Sequence, residues 1–392
     1  MAKIDIERLE ALQKKMAEQN MAALICRLPE NVVYLTEYWP HHGFSFVVFP
    51  QTGKAKLYVP EVEEEYTSTD WADVTTFGWG LLKDGDLYEN YRRLLSEARD
   101  SQGLDGETIG VEQTFEITAP IYRVAEPVVP GKPWHDLLAS VFSKSQIVDN
   151  NDLLTAVRGP KTAYELEKLR IANEIAEMGM HYAIENLKPG LTEAQVGAMV
   201  EYKIRADGPG YKGARLMHAF AEVGAGPVGS TKGTLLIPST PYQLQNGDLV
   251  MIELATVVDG YFSDLTYMAV VGEPSARQKE VYNHLLEAQQ AAAHAIRPGA
   301  TADAPDKAAR EVLKAAGLEQ YFVHITGHGV GHRYHEFNPV LFPGNSTVLA
   351  EGMVTSVEPG VYIEGFGGIR IEDNVAVGKD GPIFLSTPRK PW

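Results

Sequence analysis

Apolar residues recur along this chain with two periods, and their order lays out alternating helices and strands. Ile6, Leu9, Leu12 and Met16 return every three or four residues, which predicts an amphipathic helix; "AALIC" then reads as a short buried strand. "FSFVVFP" and "KAKLYVP" flank "QTG" and predict a hairpin. "DLYENYRRLLSEA" predicts a helix and "TIGVE" a strand. At "VRGPKTAYE" the pattern breaks at Gly159-Pro160, and Thr162 with Glu165 makes a capping box for a new helix. That helix carries Leu169, Ala172, Ala176, Met180, Ala183 and Leu187 on one stripe. The break separates an N-terminal domain, residues 1–157, from a C-terminal domain, residues 158–392.

The C-terminal domain repeats itself. "LKPGLTEAQVGAMVEYKIRADG" and "IRPGATADAPDKAAREVLKAAG" each read basic-Pro-Gly-x-Thr, each follow a long helix and each precede strands. Thr192 and Thr301 are the expected N-caps. Two related α/β halves facing each other across a pseudo-twofold axis account for this order.

Within the first half, "IELATVVDGYFSD" is an apolar stretch with Asp259-Gly260, a strong two-residue hairpin turn, at its centre. Closing the hairpin there sets Glu253 opposite Thr266. Asp264 then lies diagonally across, roughly 7–8 Å away at the backbone. The second half offers a matching pair, Glu358 in "SVEPG" and Glu372 in "GGIRIED", with Arg370 on the same strand face as Glu372. A pseudo-twofold arrangement brings all four carboxylates to one centre.

Composition sharpens this picture. The 392 residues are 44 % hydrophobic and 22 % charged, as in an ordinary globular protein. No apolar run approaches the roughly 18 residues needed to cross a membrane, and "MAKIDIERLEALQKK" reads as a charged amphipathic helix and not a signal peptide. Cys26 is the only cysteine, which excludes an intrachain disulfide and makes a reducing cytoplasm the default location. A net charge of −17 argues against a nucleic-acid partner and raises the question of whether some carboxylates hold cations. Four converging carboxylates cannot all be buried ionised without compensation. Two divalent cations supply it, with Glu253 and Asp264 as bridging or chelating ligands. "HITGHGVGHRYHEFNP" adds His324, His328, His332 and His335; His328 lies between glycines that permit close approach. Such an oxygen-rich site with an imidazole suits manganese, iron or cobalt as well as zinc. The other histidine pair, His41 and His42 in "YWPHHG", sits in a loop, where such pairs are more often incidental than functional.

The segments "DGYFSDLT", "GHGVGHRYHE", "VEPGVYI" and "GGIRIEDN", in this order, resemble the pita-bread metallopeptidases: prolidase, aminopeptidase P and methionine aminopeptidase, with creatinase as a metal-free relative. The resemblance implies an α/β creatinase-like N-terminal domain followed by an α+β pita-bread catalytic domain. It implies a metal-dependent hydrolase of small peptides with an Xaa-Pro bond, two divalent ions (Mn, Co, Fe or Zn) and, by analogy, a homodimer. It carries the metal ligands over to Glu253, Asp264, His328, Glu358 and Glu372. Glu358 takes the role of general acid/base, and His335 and Arg370 that of stabilising developing charge. Two features depart from the family's pattern. The first ligand is normally aspartate, and "EVGAGPVGSTKGTLLIPSTPYQLQNGDL" lacks the usual Pro-His pair. His218, further upstream, is the one substitute at hand. Two alternatives keep the fold: a metal-free enzyme like creatinase or ectoine hydrolase, cleaving a small non-peptide C–N bond, and a non-enzymatic binding module.

Overall fold

The computed structural model describes residues 5–78, 86–114, 131–234, 237 and 239–392; residues 1–4 of the N-terminal stretch lie outside them, as do 235, 236 and 238 of the segment lacking the Pro-His pair. The chain divides into two compact units, Met1–Arg158 and Gly159–Trp392.

The first unit alternates α1 (Ile6–Glu18), β1 (Ala23–Cys26), α2 (Pro29–Thr36), β2 (Phe46–Pro50), β3 (Ala55–Pro60), β4 (Ala72–Phe77), α3 (Leu87–Gln102), β5 (Thr108–Val111), α4 (Lys132–Val141), β6 (Gln146–Asp149) and α5 (Asn151–Arg158). The strands form one sheet in the order β4-β3-β2-β1-β5-β6. Side chains alternate across a strand, so β1 and β2 feed two cores. Ala23, Ile25, Phe46 and Val48 pack with Tyr91, Leu94 and Trp134 of α3 and α4. Leu24, Cys26, Val47 and Phe49 pack with Leu12, Met16, Val32 and Leu153 of α1, α2 and α5. The stripe predicted for α1 is rotated: Ile6 is 54 % exposed, whereas Arg8 is buried. Its guanidinium reaches Glu37 at 2.9 Å and lies 4.8 Å from the Trp71 ring centroid. Those partners make burying the arginine stem and head worthwhile where a lone charge would be excluded. In the 41–42 loop, the buried Glu63 accepts from the His41 N–H and contacts His42 Nδ1 at 2.8 Å.

The second unit opens with α6 (Ala163–Glu185), started by the Thr162–Glu165 capping box. It buries Leu169, Ala172, Ala176, Met180 and Ala183; Leu187 lies past its end. Then come α7 (Glu193–Asp207), β7 (Met217–Ala225), β8 (Leu249–Val258) and β9 (Tyr261–Val270). The second half has α8 (Ala276–Ala295), α9 (Asp303–Ala315), β10 (Gly327–Gly329), β11 (Glu336–Leu341), β12 (Val354–Val357), β13 (Gly360–Ile363), β14 (Gly367–Arg370), β15 (Asp373–Gly378) and β16 (Gly381–Phe384). Helices α6 and α7 bury their faces against β7-β8-β9, and α8 and α9 supply a second core beneath the β11-β10-β12-β15-β16 sheet.

The repeat is visible in matched backbone hydrogen bonds. Gly190 N–H donates to Leu244 O and Gly299 N–H to Leu349 O, both at 2.9 Å. Gly247 N–H donates to Val271 O and Gly352 N–H to Val377 O, both at 2.8 Å. Thr192 and Thr301 each form an isolated bridge, to Gln243 and Val348. The caps differ. Thr192 caps α7 in a full capping box with Gln195, whereas α9 starts one residue later, behind Ala302, and Thr301 bonds the Asp303 side chain.

The β8–β9 hairpin has the predicted register, with Glu253 opposite Thr266 and Ala255 opposite Asp264. Asp259 and Gly260 both take positive φ, 49° and 89°, as a turn of this type requires. The Asp259 carboxylate also accepts the Leu216 N–H at 2.9 Å.

Thr192→Ala should therefore cost about 1 kcal/mol, while Thr301→Ala, with no cap to lose, should stay within about 0.5 kcal/mol. Urea unfolding of the two variants beside the parent chain measures the difference; equal losses would mean that both threonines act as caps.

Candidate metal centre

The two halves of the C-terminal unit meet where β9 passes the turn between β14 and β15. Thr266 bridges to Glu372, and the Asn374 side chain joins both backbone groups of Asp264, accepting its N–H at 3.0 Å and donating to its carbonyl at 2.9 Å. An amide side chain thus stands in for a strand partner where the two sheets lack one. The same junction sets Asp264 and Glu372 side by side.

His328 comes to them from β10. A Cβ at Gly327 would stand 2.0 Å from the Ser356 carbonyl, so only glycine lets β10 and β12 approach this closely. His328 Nδ1 lies 3.0 Å from its neighbour's carbonyl, Gly329 O, which fixes the ring with Nε2 turned to the acids. Nε2 lies 3.3 Å from Asp264 Oδ2 and 3.4 Å from Glu358 Oε1. Asp264, His328 and Glu372 each offer a buried ligand atom, all within 4.8 Å of one another. Glu358, just past β12, is oriented by the Ser356 hydroxyl at 2.9 Å, and that hydroxyl accepts the His328 N–H at 3.1 Å.

The electrostatics of this cluster favour a cation beside the acids. Burial, then Asp264 and Glu358, push the Glu372 carboxyl well above its ordinary range. Burial raises Glu358 to about 7 even though His328 and Arg370 pull it down. For His328, burial disfavours the charged ring, yet Asp264 and Glu358 outweigh it and lift the pKa to about 9. A site that holds a proton on imidazole so tightly offers a divalent ion the same reward, more strongly. Three oxygen donors and one imidazole nitrogen, oriented and buried, fit such an ion.

Glu253 is partly separated from this group. Its Oε1 accepts the Tyr334 hydroxyl at 3.0 Å, and its Oε2 is paired with Arg370 Nη2. The same hydroxyl lies 2.8 Å from Asp264 Oδ1, so its one proton is shared between the two carboxylates. Arg370, expected to meet developing charge on a substrate, has three of its donors on protein atoms. Nε reaches Thr266 Oγ1 at 3.0 Å, Nη1 reaches the Tyr362 hydroxyl at 3.1 Å, and Nη2 holds Glu253. Thr266 in turn donates to Glu372 Oε2 at 2.6 Å, so the arginine orients that carboxylate through a hydroxyl. Glu222 lies opposite Glu253 in the β7–β8 pairing, and burial, then Glu253, raises its carboxyl to about 8. Sequence reasoning passed over Tyr334, Tyr362, Asn374 and Glu222. Only Asn374 carried a signal, since it lies two residues from Glu372 in the sequence.

The remaining histidines divide by partner. The His335 ring lies 4.1 Å from that of His328, beside the cluster. His332 contacts Glu165 at 3.1 Å, away from the acids, and the adjoining Glu336 pairs with Lys161 at 2.7 Å; these contacts tie the loop to the start of α6. His324 Nε2 lies 2.9 Å from the Tyr362 hydroxyl. His218 is exposed, with Arg205 Nη2 at 3.4 Å from its Nδ1.

Two α/β halves holding buried carboxylates and an oriented imidazole at their junction define a pita-bread hydrolase of the metallopeptidase class. The chain belongs to metallopeptidase family M24, whose model matches residues 167–379; the Creatinase/Prolidase N-terminal domain matches residues 8–141. The Xaa-Pro dipeptidase of Pyrococcus furiosus is 33 % identical over 379 residues, 96 % of either chain. That of Lactobacillus helveticus is 30 % identical over 378 residues, 95 % of either chain. The crystal structure of the prolidase from Pyrococcus horikoshii OT3, 28 % identical, matches with a TM-score of 0.76 over 98 % of this chain and 99 % of that one.

His324 yields a pH prediction. Burial, then Arg370, lowers its pKa from 6.5 to about 4, so the folded ring stays neutral. The unfolded chain takes up that proton first, so stability should fall as pH drops from 6.5 towards 4. His324→Gln should flatten this part of the stability profile; equal slopes for the two proteins would show that the ring is not held neutral.

Proposed function

We propose that this metallopeptidase is an Xaa-Pro dipeptidase whose metal is held by Asp264, His328, Glu358 and Glu372. The observation carrying the reading is the buried contact of His328 Nε2 with both Asp264 and Glu358, beside Glu372. A bound divalent ion at such a site polarises a carbonyl and lowers the pKa of water. Manganese, cobalt, iron or zinc suits the donor set. The Xaa-Pro preference is drawn from the relatives' activities. A cytoplasmic homodimer is the accompanying proposal.

The chain's own residues divide the remaining work. Glu358 can take a proton from the attacking water and return it to the leaving nitrogen. Its Oε1 is steadied by Ser356, which leaves Oε2 for the transfer. His335, packed on the His328 ring, is suited to donate to the oxygen on which negative charge develops. Arg370 acts as a positioning residue, through Thr266 to Glu372 and through Tyr362.

Protein stripped by a chelator should lose Xaa-Pro dipeptide hydrolysis and regain it with Mn2+ or Co2+. Stripped protein that remains fully active would favour the metal-free creatinase-like alternative. His335→Ala should leave metal content near normal while lowering turnover by about a hundredfold or more; loss of the metal with the substitution would make His335 a ligand instead.

A further inference from the structure

The additional methylene of Glu253 carries its carboxylate away from the role that a shorter aspartate would have. We propose that this chain holds one divalent ion and not two, because Glu253 serves as the counter-ion of the buried Arg370 and shares the Tyr334 hydroxyl with Asp264. The proposal rests on the metal-dependent reading above and concerns only the number of ions.

Three contacts carry it. Both oxygens of Glu253 are engaged by donors: Oε2 by the Arg370 guanidinium and Oε1 by the Tyr334 hydroxyl at 3.0 Å. The same hydroxyl lies 2.8 Å from Asp264 Oδ1. A pair of ions sharing one water needs carboxylates that bridge with both oxygens. Asp264 has only Oδ2 turned to His328, while Oδ1 is covered by a phenol. An ion between Glu253 and Asp264 would have to displace the Tyr334 hydroxyl and dissolve the Arg370 pair. It would then sit beside a guanidinium whose other donors remain fixed on Thr266 and Tyr362. Like charges brought close together beside a buried guanidinium repel strongly. The remaining ligand atoms need no such displacement. Asp264, His328 and Glu372 lie within 4.8 Å of one another, and Glu358 lies 3.4 Å from His328. Among the described residues this is the one group of three or more such side chains gathered closely enough to hold an ion.

The roles of Tyr334 and Glu253 follow from that geometry. Tyr334 closes the second position, and Glu253 keeps Arg370 in place to orient Glu372 through Thr266. Shortening Glu253 to aspartate withdraws the carboxylate from Arg370, and removing the phenol uncovers Asp264 Oδ1. The two changes together should reopen a second ion position.

The experiment is titration of the stripped full-length protein with Mn2+, counting bound ion by elemental analysis and following the EPR signal. The wild type should saturate at one Mn2+ per chain with an isolated, uncoupled spectrum. The double variant E253D/Y334F should take a second equivalent and develop spin coupling. Y334F alone should weaken the exclusion without disturbing the Arg370 pair, which keeps the proposal testable should the double variant fold poorly. Two equivalents in the wild type with a coupled spectrum would overturn the proposal and leave the dipeptidase reading intact. No bound Mn2+ at all would overturn the metal-dependent reading and this proposal with it. Dipeptide turnover, measured separately, reports on the substrate alone.

Discussion

Asp264, Glu358 and Glu372 share one largely buried place, where protons or cations must offset their charge. Each carboxylate loses hydration and faces its neighbours: burial and the adjacent acids push Glu372 and Glu358 above the usual carboxylate range, and Asp264 and Glu358 raise His328. Such a cluster is poised for a divalent ion, whose charge replaces protons that would otherwise have to be taken up. Much of the surrounding polar structure serves this requirement. Gly329 O, Ser356, Thr266 and Asn374 hold the donors in place, and β10 must run glycine-flanked so that His328 can reach them.

Duplication supplies the place where this happens. The two halves repeat the same backbone hydrogen bonds around their Pro-Gly turns and the starts of their strands. Where they meet, the regular ladder ends, and side chains complete it. Asn374 bonds both backbone groups of Asp264, and Thr266 bonds Glu372. Neither half alone has the full set of donors. Asp264 comes from one half and His328, Glu358 and Glu372 from the other, so the site depends on the packing of α6 and α7 and of α8 and α9 against their sheets.

A second, partly buried network sits beside the first and has a different character. From His324 it runs through Tyr362 and Arg370 to Glu253, and on through Tyr334 to Asp264. Breaking a buried ion pair by removing one partner typically costs about 3–5 kcal/mol. Arg370 and Glu253 are therefore bound to each other structurally as well as electrostatically. This explains how a carboxylate in the hairpin arm can belong to the site without facing His328 directly.

Local chemistry made several elements legible in the sequence. Asp259-Gly260 set the hairpin and thus the pairing of Glu253 with Thr266, because turn conformation and strand period are short-range properties. The Thr162 capping box, the α6 stripe and the repeated Pro-Gly-x-Thr turns were readable for the same reason. The α1 face was misjudged at Ile6 and Arg8 because the deciding partners, Glu37 and Trp71, lie far along the chain. Thr301 failed as a cap because the helix began one residue later, a choice of backbone geometry that residue types do not fix. The sequence by itself determined the two α/β halves, the register of the hairpin and the acids and histidines available to a metal, since these follow from periodicity, turn chemistry and residue type. Only the tertiary structure decided that Glu253 turns to Arg370 and Tyr334 while Asp264 turns to His328. The two side chains start on neighbouring strands, and which partner each meets depends on residues brought in from the other half of the fold.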